Sequence, residues 1–365
     1  MDLKNKPIIG VFLGRNVIRK LLNQNKYSTS YKRYLGLYRV SEKTKVALYF
    51  FCSKNVDFKQ KKIMGTIFNK SKGIWVRKWV PFPDILYDRA TSGNMDMYIR
   101  HVFSRMGIKS INAISNFNKW DMYQKFSKDT ELLQYLPETV QLKKMNDLEL
   151  MLKKHNMVYI KPAYGNRGKR VLSVERIPNK GYRYRYFNHK PIIGLYKELK
   201  GVYRFIKSLY KNDSIVIVQQ AIHLLKLENR LIDIRGELQR RQDGNLEIMG
   251  IMVRRGREGS PITIHSDVYP YDEFFINNMG ISNDEVSELK KNIESVLIKI
   301  FQKVEAYYGA FGELGIDIGI DENKHIWLIE CNGRTAKVSL SKAYKKSYED
   351  VFINPVQYAK YLPKG

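Results

Sequence analysis

Hydrophobic positions recur with period two in a series of short runs through the first ninety or so residues, and the pattern changes from Asn118 onward. Residues 7–14, PIIGVFLG, read as a first strand followed by a basic, partly helical piece. VALYFFC (46–52), KKIMGTIFN (61–69), GIWVRKWV (73–80) and the run PFPDILYDR read as further strands separated by polar turns. NMDMYIRHVFSRMG (94–107) predicts a helix, because Met95, Tyr98, Val102 and Met106 recur at helical spacing and Gly107 supplies a stop.

After Asn118, KWDMYQKFSKD predicts a helix and LPETVQL an extended exit, with Pro137 disfavouring helix at Leu136. DLELMLKKHN predicts another helix, and MVYIKPAYGNRGKRVLSVERI a strand, a glycine-rich turn and a strand. Residues 181–211 read as one strand leading into a helix over 195–210, and SIVIVQQAI (214–222) as a buried strand. LIDIRGELQRR and LEIMGIMVRRG pair as long strands around a turn at Asp243-Gly244. The longest helix follows, with Ser282 or Asn283 as its cap. The last 25 residues form a basic, aromatic tail with a helix near 341–347.

The segment from Gly312 to Thr335, GELGIDIGIDENKHIWLIECNGRT, carries the clearest chemistry. It reads as a hairpin with Asp317 on one apolar run, Glu330 and Asn332 on the next, and a polar turn at Asp321–Lys324. Strict alternation places Trp327 and Ile329 on one face and Leu328, Glu330 and Asn332 on the other. Two carboxylates and an amide then converge on one side, a ligand set that suits Mg2+ and leaves positions for water and phosphate oxygens. Cys331 is turned away from that face and predicts a buried, inert thiol.

Composition narrows the partners. The 365 residues are 44% apolar and 12% aromatic, enough for real cores and two or three domains. Sixty-four Lys and Arg against 36 Asp and Glu leave a net charge of +28, a field that attracts polyanions or an acidic substrate. The basic residues are spread along the chain, so a merely solvated basic surface stays open beside a nucleic-acid or acidic-peptide partner. No zinc-finger, KH, RRM or homeodomain signature favours nucleic acid. Cys52 and Cys331 cannot form a disulfide framework, which predicts a reducing interior. His155, His223, His265 and His325 lack zinc spacing. Nothing near the N-terminus reads as a signal peptide, and no apolar run predicts a membrane span.

Several other positions suit phosphate chemistry. KPAYGNRGKRV (161–171) sets Lys161 at a strand end before a basic turn containing Gly165 and Gly168, whose backbone can lie against phosphate. An ordinary basic hairpin is the rival reading. Arg235 and Arg254 suit phosphate or carboxylate through their bidentate fork, or serve as surface ion pairs. Gln219 and Gln220 end an apolar strand where backbone and amide groups could read a base edge.

In order, ILYDR, FNKWDMYQKFSKD, YLPET, YIKPAYGNRGKRV, IVQQAI, DIR, GELGIDIGID and IWLIECN resemble the ATP-grasp superfamily, and more narrowly the YheC/YheD type known as spore coat-associated proteins of Bacillus-like bacteria. The resemblance covers about residues 80–335. It implies an α/β (α+β) ATP-grasp fold: two α+β subdomains enclose the nucleotide, after a small mixed N-terminal domain. The boundaries expected are 1–115 for the N-terminal domain, 116–340 for the ATP-grasp domain with 155–220 as its lid, and 341–365 for a basic tail packed on the core. It implies that Lys119 and Lys161 hold the α and β phosphates and that Gly165 and Gly168 belong to the lid over them. Gln219, Gln220 and Ile222 match the segment against adenine, Arg235 and Arg254 lie near the transferred group, and Asp317, Glu330 and Asn332 hold magnesium.

The chemistry implied is ATP- and Mg2+-dependent joining of a carboxylate to an amine or other nucleophile through an acylphosphate, with an acidic peptide among the acceptors that the charge admits. The other reading is a nucleotide-binding structural or polyanion-binding protein of the spore coat type without turnover. A cytoplasmic location is expected, with spore association allowed by the resemblance, and oligomeric state is left open, a homodimer included. GRTAKVSL after Asn332 and the stretch from Arg257 to Phe275 depart from the family's usual loops, so the acceptor is the least specified part.

Overall fold

Three β-sheets, each with its own helices, organise the chain. The computed structural model describes residues 6–90, 93–165, 170–188, 190–258 and 267–362. Gly168 and much of the departing loop after Arg257 lie outside the described residues.

The N-terminal sheet is built on three parallel strands in the order Ala47–Phe51, Ile8–Phe12, Ile85–Asp88. These read as nearly continuous apolar runs because helices and aromatic side chains cover both faces. The antiparallel pair Lys62–Asn69 and Ile74–Pro81 extends one edge. In the helix Asn94–Arg105 the buried apolar residues are Ile99 and Phe103, whereas Met95, Tyr98 and Met106 are exposed. The sequence periodicity had picked out the outward stripe.

The middle sheet is antiparallel throughout, in the order Lys190–Tyr196, Gly181–Asn188, Leu172–Ile177, Met157–Pro162, Val216–Gln220, Thr139–Gln141. The helices Met145–His155 and Leu199–Leu209 pack on it through Leu148, Met151, Leu152, Val202 and Ile206. Residues 181–196 form a hairpin rather than the single strand expected, and the helix starts at Leu199. The Tyr-Arg alternation of 182–186 is the period-two signal for its first strand.

The third sheet runs Asp267–Pro270, Leu246–Arg255, Arg230–Arg240, Glu313–Ile320, Ile326–Asn332. Ile232, Ile234 and Leu238, with Leu314, Ile316 and Ile318 beside them, face the helix Asn283–Tyr308, which Ser282 caps. Gly236 permits this close approach, since a Cβ there would lie 2.6 Å from Leu297. The alternate positions of the same strands, Asp233, Arg235, Glu237, Glu313 and Asp317, are thereby set on the other face.

The C-terminal stretch is more ordered than its composition suggests. Helices span Val338–Ala343 and Tyr348–Tyr361, and residues 344–347, expected within a helix, join them. Val351, Phe352 and Val356 of the second helix complete the apolar core of the N-terminal sheet.

Candidate active site

The polar face of the third sheet forms one edge of the site. Asp317 lies on the strand Glu313–Ile320, opposite Glu330 in the adjacent strand, and Asn332 lies opposite Gly315. The pairing slips beside Asp317: Ile318 pairs with Leu328, so Ile329 is an extra residue in its strand. That bulge corrects the strict alternation expected. Leu328 joins Ile326 and Cys331 in the apolar core, while Glu330 stays partly exposed opposite Asp317. Burial, with Asp317 and Glu330 nearby, pushes the Cys331 thiol far above its usual range, as an inert cysteine requires.

Asp317 is almost wholly buried and is gripped by two arginines. Arg235 donates to both its oxygens, Nη2 at 2.8 Å from Oδ2, and Arg254 Nη2 lies 3.1 Å from Oδ1. Asn332 Nδ2 donates to Oδ2 at 3.3 Å. Burial alone would raise the carboxyl's pKa, but the two guanidinium groups outweigh it and hold Asp317 below the usual carboxylate range. Arg254 also makes a bidentate pair with Asp233, both distances 2.6 Å. Gly315 leaves room for this arrangement, because a Cβ there would meet Arg235 Nη1 at 2.8 Å.

The charged row continues beyond the residues that the sequence singled out. Arg235 Nη1 lies 3.4 Å from Glu237, which accepts from Thr335 Oγ1. Lys337, fully buried, lies 3.5 Å from Glu237 and 3.0 Å from Glu313. Glu313 in turn accepts from Tyr87 at 2.9 Å and from Arg89 at 2.8 Å, both in the N-terminal sheet's last residues. Arg254, Arg235, Lys337 and Arg89 thus face Asp233, Asp317, Glu237 and Glu313, four cations against four carboxylates. Arg89 closes the run ILYDR and Arg235 the run DIR, whereas Lys337 is joined to the row by the tertiary fold alone.

The lysines form the opposite edge. Asn118 caps the helix Lys119–Phe126 by accepting from the backbone N–H groups of Trp120 and Asp121, which fixes Lys119 in the first turn. Lys119 Nζ donates to Gly165 O at 2.9 Å and lies 3.1 Å from Glu330 Oε1. Lys161, on the strand Met157–Pro162, donates to Gln219 Oε1 at 2.7 Å, and Gln219 Nε2 donates to Thr139 Oγ1 at 2.9 Å. Burial and the charge of Lys119 pull the Lys161 ammonium down to about 8, partly opposed by Glu330.

Gln220 looks elsewhere: its Oε1 accepts from the Glu138 backbone at 3.0 Å. Ile222 lies just past the strand end, half-buried. Neither makes a hydrogen bond to the lysines among the described residues. Between the two edges is a small slot lined by Met122, Tyr123, Phe126, Leu136, Pro137, Leu328 and Ile329 together with Lys119, Lys161 and Gln219. The apolar lining, drawn from three separate segments, has no single sequence motif. A more open depression lined by Tyr196, Lys197, Glu198, Lys200, Gly201 and Arg204 shares none of these residues, and the slot is where polar groups converge.

The oxygen donors fit a hard divalent cation. Asp317 and Glu330 are register partners, and each is neutralised here by a cationic side chain, the compensation that a metal ion would replace.

Comparisons with known proteins give the family and the fold. A family model described as YheC/D like ATP-grasp matches residues 107–362. The endospore coat-associated protein YheD of Bacillus subtilis (strain 168) is 23% identical over 298 residues, covering 79% of this chain and 64% of that protein. This chain therefore spans just under two-thirds of that relative's length. The endospore coat-associated protein YheC of the same strain is 20% identical over 323 residues, covering 82% of this chain and 84% of its own. Among solved structures, D-alanyl-alanine synthetase A from Vibrio cholerae O1 biovar eltor str. N16961 superposes with a TM-score of 0.58 at 12% identity, covering 98% of this chain and 99% of that one. VanG D-Ala:D-Ser ligase from Enterococcus faecalis gives 0.56 at 13% identity, with 97% and 100% covered. At such identities the likeness shows the fold, which is ATP-grasp. No helix among the described residues is long and apolar enough to cross a membrane.

Proposed function

The chain belongs to the YheC/D-like ATP-grasp family, and from that premise we propose that it is an ATP-dependent carboxylate–amine ligase working through an acylphosphate. The observation that carries this reading is the contact of Lys119 with Glu330, which joins the lysine edge to the carboxylate edge. Lys119 and Lys161 hold the α and β phosphates, and the slot lined by Gln219 receives the base, with Gln220 and Ile222 on the same segment beyond it. Residues 155–220 act as the lid, with Gly165 at its phosphate-covering edge. Mg2+ on Asp317, Glu330 and Asn332 supplies neutralisation of the phosphate oxygens.

Arg235 and Arg254, held in place by Asp317 and Asp233, add fixed positive charge where negative charge develops. A substrate carboxylate oxygen attacks the γ phosphorus and ADP leaves. An amine then attacks the acyl carbon, inorganic phosphate departs, and the amine proton passes to solvent. No protein nucleophile is required, and positioning supplies much of the rate. Closure of the lid keeps water from the acylphosphate. The net charge of +28 favours an anionic acceptor, an acidic peptide above other polyanions.

A phosphate-release screen against amino acids, peptides and anionic polymers, with mass spectrometry of each hit, tests the reading. The expected result is Mg2+-dependent ADP and phosphate formation only when a carboxylate acceptor is present. One observation favours a second reading, a nucleotide-binding component of the spore coat type without turnover: Asp317 is already fully engaged by arginines. Nucleotide binding with no phosphate release for any acceptor would select that reading instead.

A further inference from the structure

The loop Gly333–Lys337 leaves the strand that carries Glu330 and Asn332 and runs against the N-terminal unit. Its backbone is pinned on both sides of Arg334. Asn112 Nδ2 donates to the Gly333 carbonyl, and a Cβ on Gly333 would lie 2.7 Å from Ile114 O, so the close approach needs glycine. Arg89 donates to the Thr335 carbonyl, while the Thr335 hydroxyl donates to Glu237. Arg334 is therefore presented from a fixed backbone at the end of the hairpin that bears the carboxylates.

The arginines around it are accounted for. Arg89 pairs with Glu313 at 2.8 Å. Arg100 holds Asp88, the carboxylate whose charge reaches Arg334, through Nε at 2.6 Å and Nη2 at 3.1 Å. Arg235 and Arg254 are committed to Asp317 and Asp233. Arg334 has no ion pair among the described residues. Its Nη2 donates to Asn116 Oδ1 at 3.3 Å, and its Nη1 is buried with no hydrogen-bond partner among them. The side chain is half-buried, so the guanidinium is within reach of a ligand; a buried donor left unmatched is costly, and the planar fork matches a carboxylate.

We propose that Arg334, oriented by Asn116, is the docking residue for a carboxylate of the acceptor substrate, two residues beyond Asn332. This assignment rests on the ligase reading and makes it more specific. It places the acceptor between the end of the carboxylate hairpin and the N-terminal unit, and it moves the carboxylate-binding role from Arg235 and Arg254 to a side chain outside the acidic motif.

The test measures calorimetric binding of succinate, L-glutamate and a triglutamate peptide to the full chain, with and without Mg2+ and a non-hydrolysable ATP analogue. The wild type is expected to bind at least one probe. Arg334→Gln should weaken that probe about tenfold to a hundredfold, the loss of a charge-assisted pair. Arg334→Lys should recover part of it by keeping charge without the fork. Asn116→Asp supplies an internal carboxylate; it should raise the melting temperature, which guards against reading a folding defect as lost binding, and abolish probe binding. Affinity for the nucleotide analogue should be the same in all four proteins. Wild-type affinity in Arg334→Gln, or no probe bound by the wild type, overturns the assignment. Arg334-dependent probe binding without any nucleotide binding would overturn the ligase reading and leave the assignment standing.

Discussion

The two edges of the slot handle charge in opposite ways. On the carboxylate edge, Arg254, Arg235, Lys337 and Arg89 each lie against at least one carboxylate, in side chains of 0–16% exposure. On the lysine edge, Lys119 and Lys161 have one carboxylate near them, Glu330, and Lys161 is matched by a neutral amide. The first edge is matched cation for carboxylate and fixes geometry. The second is short of negative charge and is completed by an anion. Under the ligase reading, rigidity comes from the sheet, and the lysines short of negative charge are what the phosphates would meet.

Replacing a cation on each edge should break the comparison most visibly. Lys337→Met leaves Glu237 and Glu313 buried against a missing partner, and loss of one member of such a set typically costs about 3–5 kcal/mol. Urea denaturation should show that loss, together with a lowered melting temperature. Lys161→Met removes a charge that burial already disfavours, so stability should hold or rise while nucleotide affinity falls. Equal destabilisation by the two substitutions would mean that the edges are not built differently.

A second pair sharpens the comparison within the proposed metal set. Asp317→Asn and Glu330→Gln should both stop phosphate release under the ligase reading. Only the first strips Arg235 and Arg254 of a shared, buried carboxylate, a loss on the order of 1–3 kcal/mol. Glu330 is partly exposed and, among the described residues, its ion pair is with Lys119, so its amide should melt near the wild type. Measured together, turnover should not separate the two variants and thermal denaturation should.

The same contrast explains what could be read from the sequence. Strands whose two faces differ, such as Arg230–Arg240 and Glu313–Ile320, announce themselves by alternation, and with them Asp233, Arg235 and Asp317. Lys119, Lys161 and Gln219 were legible through order along the chain. Where a bulge resets the phase, alternation misled, and Leu328 was assigned to the face that Glu330 occupies. Lys337 was not legible, nor was the pairing of Tyr87 and Arg89 of ILYDR with Glu313, because a long-range contact leaves no local pattern in a chain with 64 basic residues. The helix Tyr348–Tyr361 hid for a similar reason: Pro355 inside it and the polar, aromatic residues around its apolar positions mask a face that the N-terminal sheet reveals.

The smallest expected effect is also the most direct reading of the lysine edge. Lys161 titrates near 8 in the folded chain, below the value of about 10.4 for an unperturbed lysine. Between those values the unfolded chain binds the extra proton, so stability should rise with pH from about 8 upward and level off past the unperturbed value. Below about 8 the full cost of the buried ammonium is present. Phosphate oxygens beside Lys161 would favour the protonated form, so nucleotide affinity should be greatest below about pH 8 and fall above it. Binding at pH 8.5 should draw in a fraction of a proton, seen as a calorimetric enthalpy that depends on the ionisation heat of the buffer. Lys161→Met should remove both the buffer dependence and the rise in stability. If wild type and variant take up the same fraction of a proton, Lys161 does not meet the phosphates, and the electrostatic deficit of this edge belongs to Lys119 alone.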